Sequence, residues 1–248
     1  MTSREALAER ILSRPMRSIH DVLAVMETID GALPSSDGVH AFNELYSFVT
    51  DRIRQELDRG RFSTPVLIEE LDVVFAALYF DAFVAELRAP GSSPRAWQPL
   101  FEARHERSIA RLQHALCGMN AHINHDLAIA VVETCTRKSI EPRRGTGFFD
   151  DYLLINEILE DAEKIATKKL ATGFLRDVEQ ALGRVDNMMA VWSVRKARDA
   201  AWANAEVLWT LRGNDLLYDA FLQTIDRMTG FAGRGLLLPR GLGGEPGT

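Results

Sequence analysis

Apolar residues return at intervals of three and four along nearly the whole chain, and no alternating apolar–polar run lasts six residues. The pattern predicts helices and no sheet. The stretch Ser18 to Gly31 opens with Ser18 and Asp21 spaced as a short capping box and stops at Gly31, Pro34 and Gly38. A second helix is expected from about Val39 to Leu57, with Phe42, Leu45, Tyr46, Val49 and Ile53 on one face and Gly60 past its end. Thr64 followed by Pro65 reads as an N-cap with proline in the first helical position, opening a helix to about Leu87. The linker Ala89 to Pro94 is short enough for a turn between helices. Pro99 starts a helical segment reaching about Lys138, which Gly118 either divides or kinks. Beyond the loop Glu141 to Gly147, helices are expected from Asp150 to Leu182 (weakened at Thr172-Gly173), from Val185 to Arg212 and from Asn214 to Met228. From Gly230 the chain turns glycine-rich; Leu236 to Leu238 is expected to dock on the body and 241–248 to be disordered. The predicted architecture is all-α, a single domain over 1–240 with about eight helices in an orthogonal, bundle-like array.

A chain of 248 residues, 46% hydrophobic and 26% charged, can bury one full core. Its net charge of -6 offers no basic field to displace counterions from phosphate, so no nucleic acid is expected as a partner. The one basic run, Arg137 to Arg144, is interrupted by Glu141 and reads as a solvated loop. Cys117 and Cys135 form no Cys-x-x-Cys pair and suit free thiols in a reducing cytoplasm, a single disulfide being the alternative. Acidic residues stand near the N-terminus where a signal peptide needs an apolar core. The most apolar stretch, Val73 to Leu87, is broken by Asp81 and Glu86 and is too short to span a bilayer. The expectation is a cytoplasmic protein with no membrane partner.

The densest chemistry lies between Gly118 and Leu127, which reads Gly-Met-Asn-Ala-His-Ile-Asn-His-Asp-Leu. Burying its polar groups without partners would cost a few kcal/mol each, so the segment is either a satisfied network or a functional site. On a helical projection Ile109, Leu112, Leu116, Met119, Ile123, Leu127 and Ala130 form a core-facing stripe. Asn120 and Asn124 lie on one shoulder of it, His122 and Asp126 on the other, and His105 and Glu102 close to it. His114 and His125 point away and are expected in solvent. His122 and Asp126, four residues apart, can pair so that the carboxylate fixes the imidazole's tautomer for acid–base work. Asn120 and Asn124 can orient a carbonyl or hydroxyl, and the alternative is a hydrogen-bond network clamping helices together. No cofactor is expected. Glu102 and His105 have the Glu-x-x-His spacing of di-metal bundles, but no second copy exists. If a metal binds, its ligands are expected among His122, Asp126, Glu102 and His105.

A second constellation, Trp192, Arg195, Asp199, Trp202, Glu206 and Trp209, recurs at steps of three and four. Trp192, Arg195 and Trp202 can wall a pocket with help from His105, or else be half-buried packing. If the two constellations form one site, they pack together around a cavity of a few hundred Å³.

The segment Gly118 to Leu127 resembles the signature of an uncharacterised bacterial family, common in actinobacteria and known only as a domain of unknown function. Leu71 to Ala76 with Tyr79, Arg95 to Leu100, and Trp192 to Arg198 with Ala201-Trp202 are similar to it too, so the likeness runs from about Ser18 to Pro239. The family tends to carry proline after Asp-Leu where this chain has Ala128, which makes the following helix more regular. The resemblance implies a helical, soluble bacterial protein and supplies no activity.

From the residues, the expected function is a cofactor-independent acid–base enzyme of cyclase, isomerase or hydrolase type. It would act on a small, largely apolar metabolite through His122, Asp126, Asn120 and Asn124. The alternatives are a non-catalytic small-molecule-binding or scaffold protein and a mononuclear metal-dependent enzyme. A small-molecule substrate is the expected partner, and a homodimer stays open.

Overall fold

The computed structural model describes residues 3–170 and 194–238. Among them every regular element is helical, and no helix is long and apolar enough to cross a membrane. The helices are α1 (Ser3–Leu12), α2 (Ile19–Asp30), α3 (Gly38–Asp58), α4 (Pro65–Arg88), α5 (Gln98–Ala103), α6 (Arg111–Ala121), α7 (Leu127–Arg137), α8 (Gly147–Leu170), α9 (Val194–Leu211) and α10 (Asp215–Leu236). Between α6 and α7 the backbone runs through one wider turn, a π-turn from His122 to Asp126.

Local chemistry accounts for the helix starts. The Ser18 hydroxyl accepts the Asp21 N–H, Asp37 accepts the Val39 N–H at 2.8 Å, and Asn214 accepts the Leu217 N–H. At α4 the Thr64 side chain makes no cap bond within its own helix. It and its neighbour Ser63 instead bind the Asp151 carboxylate of α8, which ties two helix starts together.

The pair α3 and α6 forms the centre, with α2 and α4 on one flank; α7 lies on α4, α9 covers α7, and α10 covers α6. Apolar residues from Leu7 to Leu237 join one core, in which Phe42, Tyr79 and Trp97 are fully buried and mutually stacked or edge-on. Each such ring contributes about 1.5–3 kcal/mol by leaving water.

Three expectations about the elements are corrected. Pro99 to Lys138 is not one helix. It breaks at 104–110, where the Arg104 carbonyl accepts the Gly38 N–H at 2.7 Å and its guanidinium forks onto Asp37. Gly118 does not divide the segment: it lies inside α6, where a Cβ would strike the Phe42 ring. Nor does Gly230 end the last helix, which runs on to Leu236; Gly230 lets α10 approach the Arg95 carbonyl where a Cβ would collide. In addition α1, which was not among the expected elements, buries Leu7, Ala8 and Ile11. The weak point at Thr172-Gly173, the helix start at Val185 and the tail 241–248 lie outside the described residues.

Candidate functional site

The π-turn is the local feature that shapes the site. Its wider ring is closed by the Leu127 N–H donating to the His122 carbonyl, five residues back. A wider turn rotates less per residue, so side chains four apart come nearly into line, and such turns recur at functional sites. Here that brings His122 directly over Asp126, with Nδ1 2.9 Å from Oδ2. Asp126 is held from two further directions, by Trp97 Nε1 donating to Oδ2 at 3.0 Å and by His125 Nδ1 at 2.6 Å from Oδ1. The far nitrogen of His125 lies 3.7 Å from Asp226 on α10, whose carboxylate accepts the Ala96 N–H.

This wiring separates the charges of three buried groups. Burial works against the Asp126 carboxylate, yet hydrogen bonds from His122 and His125 outweigh it and hold the group below its ordinary range. Burial also disfavours a charged His125, but the bond to Asp126 and the charges of Asp126 and Asp226 prevail and raise it. For His122 burial wins and lowers the pKa despite the partner. The lowered values leave Asp126 an anion and His122 neutral at neutral pH, and His125 more readily protonated than a free imidazole. Donation from Nδ1 to Asp126 then leaves the lone pair on Nε2, and Nε2 is buried without a hydrogen-bond partner among the described residues.

His122 borders a cavity of about 50 Å³. Its walls come from α3 (Tyr46, Val49, Ile53), α4 (Ile68, Leu71, Asp72, Phe75), the signature segment, α8 (Ile155, Leu159) and α9 (Arg198). Phe75 stacks on the imidazole with ring centres 3.5 Å apart and planes 5° from parallel, and Tyr46 meets its edge at 4.5 Å. Among the described residues three polar atoms of the lining are buried without a well-formed hydrogen bond: His122 Nε2, Asp72 Oδ2 and the Tyr46 hydroxyl, which interacts with Thr50. Burial, reinforced by the charge of Glu69, pushes the Asp72 carboxyl up to about 8, so it keeps its proton at neutral pH. Burial likewise raises the Tyr46 phenol, with Asp72 and Asp126 adding to the effect.

The expected site residues fall into three groups. His122 and Asp126 come together at the cavity. Asn120 and Asn124 turn the other way: the Asn124 amide donates to Asn120 Oδ1 at 3.1 Å, and the Asn120 amide donates to the Thr229 carbonyl of α10 at 3.0 Å. His105 and Glu102 are exposed, His105 3.6 Å from Asp37 and Glu102 3.6 Å from Arg234, so neither joins His122 and Asp126. Among the described residues no three His, Cys, Asp or Glu side chains gather as a metal would require. His114 and His125, expected in solvent, are buried at 2% and 8% exposure, because α3 and the 104–110 loop cover the one and Asp226 of α10 engages the other.

The strip on α9 also divides. Trp192 lies outside the described residues and Arg195 is exposed. Trp202 is buried among Phe148, Phe149 and Tyr152, and its indole donates to Glu206. The helix does lie against α7 and the π-turn, but the arginine at the cavity is Arg198, and the cavity is smaller than the few hundred Å³ expected.

Asp72, Tyr46 and Arg198 were not expected site residues, though a signal existed for two of them. Asp72 has Ile68, Phe75 and Ala76 as its helical neighbours, and Arg198 has Val194, Ala201 and Trp202, so each is a charge on an apolar face. Tyr46 sits on an apolar face as any core tyrosine would, and nothing in the sequence marks it.

The model of a family described as "Family of unknown function (DUF5995)" matches residues 19–239, and the chain belongs to that family. No curated protein and no solved structure matches it.

Proposed function

We propose that the protein is an acid–base enzyme acting on a small, largely apolar metabolite in the cavity at the π-turn, with His122 as base and Asp72 as acid. The observation that carries this reading is the unpartnered, buried Nε2 of His122 at a cavity wall, with Nδ1 fixed by Asp126. Asp126 orients the ring and stabilises the imidazolium that forms when Nε2 takes a proton. Asp72 borders the same cavity in the opposite state, holding a proton where His122 holds a lone pair. Two titratable groups driven apart in this way are what paired acid and base steps require. Isomerisation fits ahead of cyclisation or hydrolysis. It needs one base to remove a proton from carbon and one acid to protonate the neighbouring oxygen, with both returned at the end. Two buried free thiols, Cys117 and Cys135, accord with a reducing cytoplasm.

The clamp formed by Asn120, Asn124, His125, Thr229 and Asp226 supports a narrower, structural role for that side of the signature. The test is nitrogen-15 NMR of histidine-labelled protein. His122 should carry its proton on Nδ1 and stay neutral at pH 7, and the wild type, but not His122→Asn, should exchange deuterium from D2O into carbon-bound positions of small ketones. A proton on Nε2, or a cationic His122 at pH 7, overturns the assignment.

A further inference from the structure

We infer that the cavity takes the carboxylate of a small aliphatic acid and that Arg198 is its anchor. This inference rests on the acid–base reading of the same cavity and adds the class of substrate. Arg198 is 4% exposed, and its bonds among the described residues go to neutral groups. Nε donates to Asn156 Oδ1 at 2.7 Å, Nη2 donates to the Tyr152 carbonyl at 2.9 Å, and the guanidinium lies over the Tyr152 ring at 4.2 Å. No carboxylate of the described residues comes within 4.0 Å of it. Burial works against the Arg198 charge, and the exposed Asp199 carboxylate acts on it only from beyond 4.0 Å. A buried cation hydrogen-bonded to neutral partners is a cost to the fold that an anion in the same low-dielectric space would offset.

The ligand's size and polarity follow from the walls. A cavity of about 50 Å³ corresponds to roughly four water-sized positions, enough for an acid of about four to six heavy atoms. Val49, Ile53, Ile68 and Leu71 suit an alkyl body rather than a hydroxylated one. One guanidinium balances one negative charge, so a monocarboxylate fits and a phosphate dianion does not. The Tyr46 hydroxyl and the protonated Asp72 carboxyl, both at the cavity wall, supply two further donors for an oxygen-rich head group.

The full-length wild-type protein tests this without a variant. Isothermal titration at matched ionic strength would compare isobutyrate with its neutral isosteres isobutyramide and isobutanol, while NMR follows His122 Nε2. Isobutyrate should bind at least tenfold tighter than either isostere and shift the Nε2 resonance. Equal binding of acid and amide, no binding of isobutyrate, or binding that leaves Nε2 unmoved each overturns the inference. Arg198→Lys keeps the charge and should retain part of the preference, whereas Arg198→Gln, if folded, should lose it; retention in a folded Arg198→Gln also overturns it. The acid–base reading fails separately, on the tautomer and charge of His122 in the ligand-free protein.

Discussion

On its α10 side the π-turn is bonded group by group: Asn124 to Asn120, Asn120 to the Thr229 carbonyl, His125 to Asp126 and toward Asp226. On its cavity side, His122 Nε2 and, facing the same cavity from α3 and α4, the Tyr46 hydroxyl and Asp72 Oδ2 are buried without well-formed hydrogen bonds among the described residues. Similar polar chemistry is thus spent on holding helices together on one face and left unsatisfied on the other. A buried donor or acceptor without a partner costs about 1–3 kcal/mol, so the cavity face is worse for stability than an apolar wall of the same shape. That difference, rather than the density of polar residues, separates a clamp from a site.

The largest effect is expected at Asp72. Its carboxyl is raised from 3.8 to about 8 by burial, so the folded chain keeps a proton that the unfolded chain releases. The fold benefits fully below the unfolded value and loses stability as pH climbs toward about 8. Asp72→Asn should therefore gain on the wild type between pH 4 and 8, by roughly 5 kcal/mol across the window. Urea midpoints measured across that range check this, and parallel curves for the two proteins would mean that Asp72 is solvated and the cavity face is ordinary.

Asp126 belongs to both faces, and its loss should harm both. Asp126→Leu leaves the donors of His122, His125 and Trp97 without their acceptor. The expected destabilisation is about 3–5 kcal/mol, read from the shift of the denaturation midpoint, with Asp126→Asn milder because it keeps the shape. A cost under 1 kcal/mol would show that the network is loose and that His122 is not held.

The smallest effect is expected on the clamp. Asn120→Ala removes the bond to Thr229 and orphans Asn124, at about 1–2 kcal/mol. It should leave the pH titration of His122 unchanged by NMR. Movement of that titration would show that the two faces act as one unit.

Much of the fold was legible because helices are written in local spacing. The periods of three and four, Ser18, Pro65 and the turn residues around Pro34 and Ala89 place α2, α3 and α4 within a few residues. Glycine misled where its reason was not local: Gly118 and Gly230 serve close contacts with Phe42 and Arg95, residues far away in the chain. The spacing of His122 and Asp126 also predicted their pairing, since residues four apart meet on any helix.

The sequence by itself determined an all-α chain and the pairing of His122 with Asp126, because both follow from contacts within a few residues along the backbone. Only the tertiary structure decided which face of the signature is fully bonded and which borders a cavity with unsatisfied polar atoms. Whether a polar atom has a partner depends on Thr229, Asp226, Asp72 and Arg198, which come from α4, α9 and α10. Burial likewise keeps His122 and Asp72 neutral, while Asp126 and Asp226 raise His125 against it, and burial is a property of the packed assembly that no single helix carries.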